Sequence, residues 1–164
     1  MPARVIRLLG SAAVALCVAF VGLGAAGGWL YWDRVAWEGE QAARAELPAL
    51  ATEEMPKVLG YDYQTVERSL TETYPLFTPS YRHEFQERAT KDVIPQAREK
   101  RLVNRVDVVG VGVLAAQRTS GSVLVYVNRT VVDQSKKEFY DGSRLRVDYQ
   151  KVHNKWLIDN MMPI

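Results

Sequence analysis

The sequence predicts an α+β domain carried on one N-terminal membrane helix, and three observations predict it. Leu8 to Trp32 is a run of 25 residues without a charge. Apolar residues then recur at helical spacing as far as Leu102. From Asn104 onward the period falls to two, and valine-rich runs alternate with short polar turns. Helices first and strands after is the order of an α+β fold, with helices covering one face of an antiparallel sheet.

The uncharged run comes first. At 1.5 Å per residue a helix of that length reaches about 37 Å, enough to cross a ~30 Å hydrocarbon core with some tilt. Arg4 and Arg7 flank it on the N-terminal side, and no acid precedes Asp33. Positive charge stays inside, so residues 1–7 form a cytoplasmic tail of a single-pass plasma (inner) membrane protein. The chain after the span is then extracytoplasmic, or periplasmic. Trp29, Tyr31, Trp32 and Trp37 cluster at the exit, where amphipathic rings prefer the headgroup layer. A cleavable signal peptide is the alternative, but its apolar region would run about 7–15 residues, shorter than this one. Leu16 before Cys17 is too bulky for a lipobox, which leaves Cys17 a plain membrane-embedded cysteine. Gly10, Ala13, Cys17, Gly24 and Gly28 recur at spacings of three, four and seven. Small side chains let a second helix approach closely in lipid, so these five form the expected partner-binding face. Alanine and glycine are also common in membrane helices at large, which sets a high background.

Composition bounds the rest. The chain has 164 residues, and what remains beyond the anchor suffices for one core and not two. Arg4 and Arg7 are the only charges before Asp33, so the other 19 basic side chains balance 19 acidic ones. A neutral domain gives no electrostatic reason to bind nucleic acid. The one cysteine lies in the anchor, so packing alone must hold the domain. Two distant histidines, His83 and His153, offer no metal site, and no cofactor is expected.

Residues 33–59 read as an alanine-rich stalk helix that packs its lower face on the domain, with Ala43, Leu47, Leu50, Ala51 and Val58 on one stripe. Pro48 and Pro56 predict a kink or a boundary there. Gly60 follows as a helix-ending C′ residue and opens the extracytoplasmic domain, 60–164. Asp62 can cap a helix bearing Val66, Leu70 and Tyr74. Thr78-Pro79 starts the next, with Tyr81, Phe85 and Ala89 as its stripe. Val93, Ile94, Ala97 and Leu102 continue the pattern across Pro95. Val106 to Ala115 is then expected as a central strand, bent or bulged near Gly110 and Gly112. A turn at Thr119-Ser120-Gly121 leads into a strand with Val123, Val125 and Val127 on one side. Residues 133–142 read as a polar loop. The third strand turns Leu145, Val147 and Tyr149 inward, and His153-Asn154-Lys155 turns the chain into Trp156-Leu157-Ile158. This layout resembles the cystatin-like or SnoaL-like cone of helices on a curved antiparallel sheet.

Several stretches together resemble the actinobacterial Mce-associated membrane proteins. Leu59-Gly60-Tyr61-Asp62-Tyr63 is similar to the family's L-S-Y-D-Y opening of its first domain helix, with Gly60 in place of serine. Phe77 followed by Tyr81 resembles its F-x-x-x-Y step, and Trp156-Leu157-Ile158-Asp159 its W-L-V-D ending. The short tail, single membrane helix and alanine-rich stalk complete the likeness. The resemblance implies an accessory subunit of an Mce lipid importer, whose partners are a permease and the tunnel-forming Mce proteins. It carries over no catalytic residue.

Three classes of function follow. A membrane-anchored, non-enzymatic scaffold needs an anchor, a neutral domain and partner surfaces, and all three are readable. A type IV secretion-like inner-membrane scaffold has the same layout. An enzyme of SnoaL-like kind needs a perturbed acid or base in an apolar pocket, with Tyr63, His83, Asp107, Tyr126 and Asp159 as the candidates. A lipid-binding module would hold a lipid ligand against the valine-rich strands, although any core requires those same valines.

Overall fold

The computed structural model describes residues 2–164, with side chains for residue 16 and from residue 18 onward. It contains two compact units, Met1–Glu38 and Gly39–Ile164. Helix α1, Pro2–Leu59, contributes to both. In the first unit the described apolar side chains are open on every turn, with Leu16, Phe20, Leu23, Trp29 and Trp32 between 68 and 77% exposed. Among the described residues, no helix is long and apolar enough to cross a membrane. Nine of the 25 residues in the expected span, Leu8 to Ala15 and Cys17, lie outside the described side chains.

The second unit, Gly39–Ile164, takes in the α1 segment 39–59 together with residues 60–164. Ala43, Leu47, Ala51, Met55 and Val58 are all at most 2% exposed in the main core. The segment read as a stalk thus packs its apolar stripe on the sheet. Its apolar stripe extends over more than four turns and gives the inner face of the sheet a long surface to bury against, beside Phe77 and Tyr81. Pro48 and Pro56 do not end it. Each removes one backbone donor, orphaning the carbonyls of Arg44 and Thr52, and both of those residues lie on the solvated side where water can replace the bond. Gly60 is likewise not a left-handed cap, since among the described residues no glycine has positive φ. Its need is space: a Cβ there would stand 2.5 Å from the Pro56 carbonyl oxygen.

Strand β1 is the pair Tyr61–Asp62. Asp62 does not cap the following helix. Its Oδ1 accepts from Gln64 N at 2.9 Å, a local Asx turn, and Thr65 takes the N-cap position without a side-chain bond. Helix α2 is Val66–Thr73 and α3 is Pro79–Arg88. The α3 start follows the sequence rule, with Thr78 Oγ1 accepting from Tyr81 N at 3.4 Å and Pro79 at N1. A π-helical turn over Ala89–Val93 passes the chain into α4, Ile94–Lys100, which places Pro95 in a first turn where its missing donor is harmless. Arg101, at φ 51°, ends α4 in the left-handed region.

Strands β2 (Val103–Ala116), β3 (Ser120–Val132), β4 (Glu138–Val152) and β5 (Lys155–Pro163) complete a fully antiparallel meander in the order β1-β2-β3-β4-β5. The central strand is thus β3 and not β2. β2 does carry the expected irregularities, with bulges between Val108 and Gly110 and between Val113 and Ala115. The polar stretch 133–142 is mostly strand. Glu138 to Gly142 continue the β3 ladder from Val132 to Asn128, and an Arg129–Asp141 ion pair crosses it. Charge alone marks a solvated strand face there. His153 and Asn154, at φ 49° and 63°, form the two-residue turn that suits a right-twisted hairpin. Val123, Val125, Val127, Val147, Tyr149, Trp156 and Ile158 point inward onto α1, all at most 6% exposed.

Candidate functional site

The residues singled out for acid–base chemistry do not converge. Tyr63 is half-buried and accepts from Gln64 Nε2 at 3.0 Å. His83 is exposed on α3, and Asp159 is exposed on β5, where it accepts from Thr78 Oγ1 at 2.9 Å. Asp107, opposite Asn128, and Tyr126, opposite Gly110, stand in solvent on the outer face of β2–β3. Among the described residues no three His, Cys, Asp or Glu side chains are placed to hold a metal ion.

The interface where a pocket would open is filled. Leu47, Met55, Phe77, Tyr149 and Ile158 are each fully buried between α1, α3 and the sheet. Phe77 stacks against Tyr81 at 5.5 Å and Phe85 at 4.6 Å between ring centres, closing the side beside α3. The described hollows open to the surface, one of them beside Tyr149 and Asp159. One of about 440 Å³ is lined by charged side chains, among them Glu67, Arg68 and Arg98. Another of about 420 Å³ lies between the end of α1 and α2, beside Lys57, Ser69 and Leu76.

One ionisable pair does sit inside the core. Glu54 is 6% exposed, and its Oε2 accepts from Tyr149 Oη at 3.1 Å. Burial pushes the Glu54 carboxyl up to about 7, against a smaller downward pull from the Tyr149 hydrogen bond. Burial also raises the Tyr149 phenol, with the Glu54 charge adding to it. At the edge of the same core, Glu46 accepts from Trp156 Nε1 at 2.8 Å, while Lys151 lies 5.1 Å over the Trp156 ring. Glu54 carried a sequence signal that went unread. It lies seven residues after Leu47, three after Ala51 and four before Val58, on the apolar stripe itself.

Of the expected partner face, Gly24 and Gly28 are exposed, and a Cβ at either meets nothing within 4 Å. The side chains of Gly10, Ala13 and Cys17 lie outside the described residues.

No family model matches the chain. Two proteins from two strains of Mycobacterium tuberculosis, each named an outer membrane protein, are 26% identical to it over 137 residues. The match takes in 84% of this chain and 86% of each relative, so it extends well into the folded domain. The chain resembles the Mce-associated membrane proteins. Among solved structures, an IcmL-like type IV secretion system protein from Legionella pneumophila aligns with a TM-score of 0.63 at 10% identity, over 74% of this chain and 93% of that one. A periplasmic fragment of TraM gives 0.58 at 10% identity, over 70% and 92%. CagV, a VirB8 homologue of Helicobacter pylori, gives 0.58 at 8% identity, over 73% and 96%. At such identities the likeness is one of fold: an N-terminal helix and short helices packed on an antiparallel sheet.

Proposed function

We propose that this protein is a non-enzymatic, membrane-anchored accessory subunit that stabilises or completes an Mce-type lipid import complex. The observation that carries the reading is the packed core. Leu47, Met55 and the β3 valines are fully buried where a SnoaL-like enzyme or a lipid carrier has its cavity, which favours work done by the outer surfaces. The uncharged run, the basic tail and the open apolar side chains of residues 16–37 support a single-pass inner-membrane anchor with the domain in the periplasm. The resemblance to Mce-associated proteins supports the choice of complex, with the permease and Mce proteins as partners.

A second reading is a VirB8-like scaffold of a secretion machine, which the shared fold favours. Purification of the full chain in mild detergent, with identification of the subunits that accompany it, separates the two. Mce proteins and permease are expected; secretion subunits in their place would overturn the first reading. Within the bilayer, Gly24 and Gly28 are the proposed contact face. A Cβ at either position meets nothing within 4 Å, and leucine inserts at least as well as glycine. The double variant should insert normally yet lose its transporter subunits. Unchanged co-purification would move the contact to the domain.

A further inference from the structure

The end of the domain where its chain begins is cationic, and its geometry is tightly defined. Gly39, the first residue of this unit, lies directly on the β2–β3 turn: a Cβ there would stand 2.8 Å from Cβ of Arg118 and 3.2 Å from its Cα. Glycine disfavours a helix interior, and this close approach is what the missing side chain permits. The β4–β5 turn sits alongside, with Lys151 N donating to Thr119 O at 2.7 Å. Together the two turns present Arg118, Lys151, His153 and Lys155, and neither contains an acid. Arg118, His153 and Lys155 are exposed.

The nearby acids are already engaged. Glu40 pairs with Arg44 at 2.9 Å, while Glu46 takes the Trp156 indole and stands 3.9 Å from Lys151. Among the described ion pairs, none involves Arg118 or Lys155. The turn at the opposite end of the sheet is different, mixing Asp133 with Lys136 and Lys137. Chain length then limits where the cationic end can be. Trp37, last of the aromatic cluster, precedes Gly39 by two residues, a separation of at most about 7 Å along any extended chain.

We propose that the β2–β3 and β4–β5 turns form a cationic collar that binds the phosphates of anionic lipid headgroups around the anchor. This rests on the membrane-anchor reading above. Each Lys or Arg held near an anionic surface strengthens binding about fivefold, so Arg118 and Lys155 together supply roughly thirtyfold. Lys151 contributes less, being shared with Glu46 and the Trp156 ring.

The test uses the full chain in lipid nanodiscs of phosphatidylcholine, alone or mixed with phosphatidylglycerol. A nitroxide is placed at Thr119→Cys in a Cys17→Ser background, and a reference label at Ser135→Cys in the opposite turn. The readout is the collision rate with a nickel chelate tethered to lipid headgroups. Phosphatidylglycerol should raise the rate at position 119 several-fold and leave position 135 unchanged. Arg118→Gln with Lys155→Gln should abolish that rise while the signal at 135 stays as before. A chain that incorporates into both discs but collides equally in each overturns the collar alone, as does a rise that survives the double substitution. A chain that enters neither disc overturns the anchor reading, and the collar with it.

Discussion

Replacing Glu54 with glutamine should stabilise the domain at neutral pH and leave it unaffected in acid. The Glu54 carboxyl ordinarily titrates near 4.5, and in the folded core it titrates near 7. Below the lower value both folded and unfolded chains hold the proton, so the group does not affect the balance. As pH rises towards 7, the unfolded chain ionises while the folded one keeps its proton, and stability falls by about 1.4 kcal/mol per pH unit. Across the interval between the two values the loss amounts to about 3 kcal/mol, complete once pH exceeds the folded value. Glutamine cannot ionise, fills the same volume and can still accept from the Tyr149 hydroxyl. Carboxylates such as Glu53 and Asp141, lowered by Lys57 and Arg129, act in the opposite sense, but equally in both proteins. The assay is urea unfolding of the full chain in detergent micelles, read by pulse proteolysis from mildly acidic to mildly alkaline pH. The midpoints should coincide in acid and separate progressively, with the variant higher. A constant offset at every pH would refute the reasoning, because Glu54 would then ionise alike in both states.

Other expectations follow from the same packing. Trp156→Ala should cost roughly 3–5 kcal/mol in the same unfolding assay, because it empties a core position and strips Glu46 of its donor. An unchanged midpoint would mean the indole is not packed as described. Gly60→Ala should cost about 1–3 kcal/mol, since its Cβ would press on the rigid Pro56 carbonyl and not on a side chain that can swing away. A neutral result by the same assay would show that the end of α1 can relax. Protease added outside intact spheroplasts should digest residues 39–164 and spare the anchor, as the basic N-terminal flank requires. A protected domain would reverse the proposed topology.

What was legible in this sequence depended on whether a residue's own neighbours in the chain set its position. The valines of β3 and the inward set Val147 and Tyr149 follow from alternation alone, and Thr78-Pro79 from the chemistry of a helix start. Errors arose where a local rule met a distant partner. Proline breaks an isolated helix, yet α1 runs through Pro48 because its stripe has a whole sheet to cover, which outweighs two lost bonds on a wet side. Residues 138–142 read as loop from their polarity, but a long β3 gave them a ladder to join.

The same distinction explains the candidate site. Tyr63, His83, Asp107, Tyr126 and Asp159 drew notice as residue types able to do chemistry, and the fold disperses them over outer surfaces. Residue type alone does not set Glu54 apart from Glu46 and Glu53 on the same helix. Its burial is decided by Tyr149, 95 residues away on β4, which offers it the one hydrogen bond that makes the position tolerable. Glu54 therefore lies buried against the sheet with Tyr149 as its hydrogen-bond donor. Its ionisation should loosen the hold of α1 on the sheet as pH rises.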